Sequence, residues 1–171
     1  MGVILLYKID TMLNDFLQPV DNEIIAEYYT ENIYAKEYIH LFQQVQTLES
    51  YQVAVLGVAD YRGYISNKGT EHAADEVRKQ LYQYAAFTNG IQLLDLGNIK
   101  AGETYVDTLV ALVEILHELF KQNVITIILG GDAALASAQF KAYEIFENPI
   151  TVAHVASKVI WDNSDVDIYK T

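Results

Sequence analysis

The sequence has no cysteine and only two prolines in 171 residues. The absence of cysteine excludes disulfide bonds, thiolate metal sites and cysteine nucleophiles. The scarcity of proline, together with only nine glycines, is unlike the composition of a disordered chain. No apolar run approaches the roughly 20 residues that cross a bilayer, so we predict no membrane span. The apolar residues 1–7 have no basic flank and no cleavage-like site, and they do not predict a signal peptide.

Positive charge is also scarce, because 11 Lys and Arg stand against 23 Asp and Glu, for a net charge of -12. Binding to a phosphate backbone needs clustered basic side chains, so we expect no nucleic-acid partner. Hydrophobic residues make up 51% of the chain, which is enough for the core of one domain. We therefore expect an acidic, cytoplasmic protein with a single core and no membrane partner.

From residue 51 onward, apolar runs alternate with amphipathic helical patterns. The runs predict strands over residues 52–58, 91–96, 124–129 and 150–155. The patterns between them predict helices over residues 71–87, 106–120 and 134–146. This alternation predicts an α/β fold, a three-layer α/β/α arrangement with a mainly parallel, doubly wound sheet. In open sheets of this kind, ligands bind at the carboxyl ends of the strands.

The same patterns divide the chain into three segments. Residues 1–50 predict a helical amino-terminal segment that packs on the sheet, with a second helical pattern over residues 33–45. Residues 51–160 contain the repeating strands and helices. Residues 161–171 form an acidic tail without clear periodicity.

Four short motifs follow one another along the central segment. They are VAVLG at residues 53–57, GTEHAADEVR at 69–78, DLGN at 95–98 and GGD at 130–132. In this order and spacing they resemble the ureohydrolase superfamily, which contains arginase, agmatinase and formiminoglutamase. The resemblance covers roughly residues 52–160 and implies an arginase-like fold. The preceding FLQPV, at residues 16–20, is most similar to the formiminoglutamase-like branch.

The resemblance also implies a chemistry. Members of the superfamily hydrolyse amidine or guanidine carbon–nitrogen bonds with two manganese ions and a bridging hydroxide. Carboxylate and imidazole ligands suit such ions, and in the family they lie at the carboxyl ends of strands. One ligand is a His directly after Gly-Gly-Asp. Others come from an Asp-Ala-His-x-Asp segment after the next strand, and the last pair from an Asp-x-Asp segment further along.

This sequence departs from that ligand set. The His position after Gly-Gly-Asp is Ala133. Counting to the end of the fourth predicted strand places the Asp-Ala-His-x-Asp positions on residues 156–160. The ligand positions there are held by Ala156, Lys158 and Ile160. The last ligand pair would fall beyond residue 171, so we predict no metal and no cofactor in this chain.

The register around His154 has an alternative. Setting Ala153 and His154 on the Ala-His of the motif retains one imidazole, but it puts Val152 and Ala156 at the Asp positions and shortens the strand. We prefer the first register and expect His154 to be a hydrogen-bonded core residue. The other histidines are His40, His72 and His117, and none has an identifiable catalytic partner.

Charged residues cluster at the predicted strand ends. Asp60 and Arg62 follow the first confident strand, and we expect Asp132 and Lys158 to lie near them. Together they form a candidate pocket for a small acidic or zwitterionic ligand. The alternative is a loop that is merely stabilised by surface charges.

We assign no catalytic residue to this chain. The main hypothesis is a non-catalytic, degenerate ureohydrolase-like domain, a pseudoenzyme that acts as a binding or assembly module. Without the second half of the family fold, one side of the sheet would be uncovered, which predicts a homo-oligomer or a partner chain over that side. The alternative is the amino-terminal part of a manganese-dependent amidinohydrolase of formiminoglutamase, agmatinase or arginase type.

Overall fold

The computed structural model describes residues 11–45, 47–63, 68–84, 91–131 and 135–146, together with Thr151, Ala153 and Val155. Its strands are β1 (Leu17–Gln18), β2 (Ile39–Leu41), β3 (Val53–Val58), β4 (Leu93–Ile99) and β5 (Ile125–Leu129). Its α-helices are α1 (Thr11–Phe16), α2 (Asn22–Ile24), α3 (Ile33–Tyr38), α4 (Ala73–Gln83), α5 (Tyr105–Lys121) and α6 (Leu135–Tyr143). A π-helical segment continues α2 over Ile25–Tyr29, and short 3-10 helices cover Phe42–Gln44, Lys68–His72 and Glu144–Phe146.

Over the described ranges, the strands form one five-stranded, mostly parallel sheet. β3 lies at its centre and pairs in parallel with β4 on one side and β5 on the other. The far edge of β4 is shared by two short strands. β2 runs parallel to its beginning, with Ile39 opposite Leu93, and β1 runs antiparallel to its end, with Leu17 opposite Ile99. This sheet with its flanking helices confirms the predicted α/β class.

The core lies on both faces of the sheet. On one face, Ala54, Leu56 and Val58 of β3 pack against a cluster that contains the buried side of α5. On the other face, Val55 packs with residues of α2, α3 and α4, including Tyr82. Successive residues of a strand point to opposite faces, so a strand that is covered on both needs a nearly continuous apolar run. This is why the apolar runs of the sequence predict β3 and β4.

The amino-terminal segment is part of the sheet as well as a cover for it. The helical pattern predicted over residues 33–45 is interrupted by β2, which begins at Ile39. The helix prediction is therefore wrong at this point. Ile39 and Leu41 are buried and His40 between them is not, which is the two-residue period of a strand. Pairing with the open edge of β4 outweighs the local helical spacing.

The inward face of α4 also differs from the prediction. The apolar pattern puts Ala74, Val77, Leu81 and Tyr84 against the sheet. Only Ala74 of these is fully buried, and Val77 and Tyr84 are 45% and 77% exposed. The buried face instead carries Arg78 and Tyr82, both at 0% exposure. Relative to the prediction, α4 is rotated about its axis, and this places Arg78 and Tyr82 in contact with β4.

The carboxyl-terminal predictions lie largely outside the described residues. Of the predicted strand over residues 150–155, only Thr151, Ala153 and Val155 are described, and they belong to no helix or strand. The tail at residues 161–171 lies entirely outside them. Within the described part of the chain, no helix is both long and apolar enough to cross a membrane.

Candidate functional site

The carboxyl ends of β3 and β5 meet the beginning of α4. Two glycines follow β5 with positive φ angles, 79° at Gly130 and 74° at Gly131. A Cβ atom on Gly130 would lie 3.1 Å from the Ala74 nitrogen and 3.3 Å from the Val58 carbonyl oxygen. Glycine is therefore required here both for its backbone conformation and for its close approach to two elements. The next two residues, Asp132 and Ala133, lie outside the described part.

The first polar group at these strand ends is Asp60, which follows β3 and is 4% exposed. Arg62 donates from Nε to its Oδ1 at 3.0 Å and from NH2 to its Oδ2 at 2.7 Å. The Thr108 hydroxyl of α5 donates to Oδ2 at 2.8 Å. Burial alone would raise the pKa of Asp60, but the hydrogen bonds from Arg62 and Thr108 outweigh it and lower that pKa.

Arg62 also joins this loop to the beginning of α5. Its guanidinium donates to the carbonyl oxygens of Gly102 at 3.0 Å, Glu103 at 2.9 Å and Thr104 at 3.3 Å. Thr104 is the N-cap of α5 and forms a reciprocal capping box with Asp107. The structure thus brings the two predicted pocket residues Asp60 and Arg62 together, where they bind each other and the α5 loop.

The other two residues of the predicted pocket, Asp132 and Lys158, lie outside the described part of the chain. The pocket therefore stays a prediction. In the described geometry, Asp60 and Arg62 hold a loop in position. Because the Asp60 carboxylate accepts from both Arg62 and Thr108, it fixes the loop after β3 against the helix after β4.

A second polar group lies deeper, between α4 and β4. Arg78 and Asp95 are both 0% exposed and form an ion pair, with Nε at 2.9 Å from Oδ2 and NH2 at 3.1 Å from Oδ1. The Tyr82 hydroxyl donates to the same carboxylate at 2.8 Å, and so does the Gly97 backbone N–H at 2.9 Å. Burial, followed by the charge of Asp95, raises the pKa of Tyr82 and keeps it a donor.

The remaining Arg78 donors are also used. NH1 donates to Asn98 Oδ1 at 2.6 Å and to Asp75 Oδ1 at 3.0 Å, and NH2 donates to the Gly97 carbonyl at 2.7 Å. Gly57 of β3 makes room for this group, because a Cβ there would collide with the Asn98 side chain and lie 2.9 Å from Arg78 NH1. Because both charged groups have hydrogen-bond partners, neither charge of this buried ion pair is left unpaired.

Sequence reasoning missed this buried group as a unit, although three of the four motifs that carry the resemblance contribute to it. The available indication was Asp95 in the middle of the apolar run IQLLDL. A carboxylate inside a strand that is buried on both faces needs a cationic partner, and Arg78 stands on the helix that crosses it.

Within the described ranges, no group of three or more His, Asp or Glu side chains is placed to hold a metal ion. The residues that the preferred motif register predicts at the ligand positions, Ala133, Ala156, Lys158 and Ile160, lie outside those ranges, as does His154, so that prediction is untested. His40 Nδ1 lies 2.7 Å from the Tyr51 hydroxyl, and exposed His72 lies 3.0 Å from Glu71. His117 Nε2 is buried without a hydrogen-bond partner.

One edge of the sheet is formed by β5, which among the described residues pairs with β3 only. The opposite edge is formed by the short strands β1 and β2, which both pair with β4. On the α4 face of the sheet, Ile125 is 66% exposed and Ile127 is 45% exposed. Val77 of α4 is also 45% exposed, and partly buried Leu81 packs against the core cluster on this face. We call Ile125, Ile127, Val77 and Leu81 the β5 strip.

Comparison with known proteins identifies a family. The model of the Arginase family matches residues 51–157, which is more than half of the chain. The matched range begins just before β3 and includes both polar groups and the glycines after β5. It confirms the resemblance to the ureohydrolases that the motifs indicated. No curated protein and no solved structure matches the chain significantly.

Proposed function

This chain belongs to the arginase family, and from that premise we propose that it is a non-catalytic, ureohydrolase-like domain that serves as a binding or assembly module. The observation that carries the proposal is the uncovered β5 edge. An edge strand offers a row of unpaired backbone groups to another chain. Here that row adjoins the exposed apolar side chains of Ile125 and Ile127.

The sequence of β5 lacks the usual protection of an edge strand. Edge strands in monomeric proteins carry Lys, Pro, inward-pointing charges or bulges that discourage pairing. β5 reads ITIIL, with no charge and no proline. Its pairing with β3 is also regular, from Val53 opposite Ile125 to Gly57 opposite Leu129. These features support a role in which another polypeptide covers the edge.

The residues that the preferred motif register puts at the ligand positions support the non-catalytic part of the proposal. Manganese needs carboxylate and imidazole donors. Ala133, Ala156 and Ile160 offer hydrocarbon groups, and Lys158 offers an ammonium group. This set does not fit the metal, so we derive no hydrolytic step for this chain. A cytoplasmic location remains a prediction.

The proposal is tested by the mass of the purified chain in solution and by its metal content. Size exclusion with light scattering at micromolar concentration should show an assembly larger than one chain, or one that forms with an added partner. Elemental analysis should find no stoichiometric manganese after incubation with the ion and desalting. A monomer that binds no partner and retains manganese would overturn the proposal.

One alternative is favoured by the family match itself. The chain would then be the amino-terminal part of a manganese-dependent amidinohydrolase. Hydrolysis of N-formiminoglutamate, agmatine or arginine, stimulated by manganese, would establish this alternative. Restoring only the first ligand, by Ala133→His, should give no such activity, because the other ligand positions are also substituted.

A further inference from the structure

We propose that a groove between α3 and the end of α4 binds a basic segment of another protein. The groove has a volume of about 490 Å³. Its walls are formed by the π-helical segment, the first turn of α3 and the last residue of α4. We call it the α3 groove. It shares no residue with the β5 strip, so the inference goes beyond the proposed assembly role and does not rest on it.

The two walls of the α3 groove are joined by Asn32, the N-cap of α3. Its Oδ1 accepts from the backbone N–H groups of Tyr34 at 3.0 Å and Ala35 at 3.1 Å. Its Nδ2 donates to the Tyr82 carbonyl oxygen of α4 at 2.6 Å. The buried rings of Tyr29 and Tyr82 pack edge to face, with centroids 5.5 Å apart. The groove is therefore formed before a partner arrives, which lowers the entropic cost of binding.

The lining of the α3 groove is largely apolar and faces solvent. Ile33 is 74% exposed and Tyr34 is 61% exposed. Tyr28 of the π-helical segment lines the same groove. Single exposed apolar residues are normal on a protein surface, but several that line one concave surface indicate a binding site. These side chains offer an aliphatic contact and the faces of two aromatic rings.

The charge of the groove indicates the chemistry of its occupant. Among the described lining residues, the charged ones are Glu27 and Glu31, and both are exposed. A cation near the face of a tyrosine ring is attracted by the ring quadrupole. Carboxylates attract the same cation, and the alkyl stem of a long basic side chain packs on apolar surface. The combination suits lysine or arginine better than an acidic or neutral side chain.

A neighbouring cleft extends the negative surface and favours a basic segment over a single cation. The cleft between α2 and α4 shares Glu27 and Tyr28 with the α3 groove, and it adds the carboxylates of Asp21 and Glu23. Lys79 also lines the cleft, but it is paired with Glu76 at 2.6 Å. Basic residues that flank the one in the groove would therefore also meet negative charge.

The chain itself is a poor source of this cation. Most Lys and Arg side chains in the described ranges already bind groups outside the groove: Arg62, Arg78, Lys79, Lys100, Lys121 and Lys141. Residues 85–90, which follow the α4 wall in the sequence, carry no charge. A second copy offers no better source, because two chains of net charge -12 repel each other.

The points at which the longer undescribed segments join the described chain also lie away from the groove. Residues 1–10 precede α1, and α1 contacts α5. The residues after 146 follow a 3-10 helix whose Phe146 packs on Phe120 of α5. The α3 groove lies on the other face of the sheet, with the cluster that contains Tyr29 and Tyr82. These positions favour an occupant from outside the chain.

The experiment uses the full chain and a labelled peptide of alternating arginine and alanine. Fluorescence anisotropy in about 0.15 M salt, where long-range attraction is screened, should show saturable binding. The matched peptide of glutamate and alanine should not bind. Glu27→Gln with Glu31→Gln should raise the dissociation constant for the basic peptide about fivefold, the scale of two exposed ion pairs.

The control for charge is Glu49→Gln with Glu103→Gln. It removes the same two charges at exposed positions outside the groove and should leave the dissociation constant unchanged. Tyr34→Ala tests the aromatic contact and should weaken binding about threefold, the scale of an exposed cation–π contact. Its control is Phe140→Ala, which removes a 44% exposed ring on α6 and should have no effect.

The outcomes distinguish a site from a general attraction to an acidic protein. Weaker binding in both groove variants, with both controls unchanged, supports the inference. Equal losses in the groove and control variants overturn it, because they report attraction to the net charge alone. Absence of saturable binding also overturns it. Neither result changes the mass of the chain in solution or its metal content, so the proposed function can fail or stand separately.

Discussion

The two sides of the sheet are built differently. Beyond β4, the amino-terminal segment supplies β1 and β2, so both halves of the β4 edge are paired. Beyond β5, no strand follows in the described structure, and Ile125 and Ile127 are exposed. Within the described residues, the β4 side is therefore extended by two further strands, and the β5 side is not.

The β4 side also contains the polar group that fixes α4 to β4. Arg78 and Asp95 are fully buried and satisfied by one another, by Tyr82 and by backbone groups. Such a group tolerates little change, because any missing partner leaves a buried charge alone. The side chains of the β5 strip are apolar and partly exposed, so substituting them should cost folding little. We infer that the β4 side determines stability and the β5 side determines association.

Among the substitutions considered, Asp95→Ala should cause the largest loss of unfolding free energy. The variant leaves the Arg78 guanidinium buried without its carboxylate, which should cost about 3–5 kcal/mol of unfolding free energy. Urea denaturation measures the loss. Lys79→Met, which removes an exposed ion pair with Glu76, is the control and should leave the midpoint nearly unchanged.

Because Asp95→Ala is severe, a double variant keeps the test informative. Asp95→Leu with Arg78→Met removes both charges, and replacing a buried ion pair by apolar groups is frequently close to neutral. It should recover a large part of the lost stability. A single variant as stable as the unaltered chain would contradict the role given to this pair.

The next largest effect is the pH-dependent contribution of Asp60 to stability. Because the folded pKa of Asp60 is lowered, its contribution is present above the unfolded value of about 3.9 and is lost as pH falls through the folded pKa. Asp60→Asn should cost about 1.5–3 kcal/mol near pH 7, the range for a hydrogen bond to a charged group. The difference from the unaltered chain should shrink toward pH 2. Thermal or urea unfolding across this range would measure it, and a constant difference would contradict the assignment.

A smaller loss is expected from Gly57→Ala. The added methyl group would collide with Asn98 and press on Arg78, and forced packing of this kind costs about 1–3 kcal/mol. Gly69→Ala is a matched control, because no atom lies within 4 Å of its Cβ position. Chemical denaturation of the two variants should separate them clearly. Equal stabilities would show that β3 can move away from the Arg78 group.

The smallest effect on folding is expected on the β5 side. Ile125→Lys changes a side chain that is 66% exposed, so the dilute chain should unfold within about 0.5 kcal/mol of the unaltered one. The same variant should weaken the proposed association, because it replaces an exposed apolar side chain at the β5 edge by a charged one. Denaturation and sedimentation on one sample would compare the two effects. A large loss of stability without any change in association would show that Ile125 contributes to folding and not to association.

The sequence predicts the elements whose patterns are local. β3 and β5 follow from apolar runs, and α5 follows from a helical period. β2 was mistaken for helix because its strand character depends on the edge of β4, which lies far away in the chain. The turned face of α4 was missed for the same reason, since Arg78 and Tyr82 are drawn inward by Asp95.

For the candidate site too, the local contacts could be predicted from the sequence and the contacts between distant segments could not. Proximity of Asp60 and Arg62 follows from their neighbouring positions after β3. Their attachment to Thr108 and to the carbonyl groups before α5 depends on how α5 lies against the sheet, and the local pattern does not specify that. The uncovered side of the sheet stays a prediction. The position of β5 at one end of the described strand order depends on pairing between distant segments, which the local pattern does not specify.

The account depends most directly on the mass of the unaltered chain in solution. We predict that light scattering at tens of micromolar will give a mass above the 19.3 kDa of one chain, and that Ile127→Lys will lower it. A mass of one chain for the unaltered protein at that concentration, with no exposed apolar surface detected by dye binding, would contradict the account.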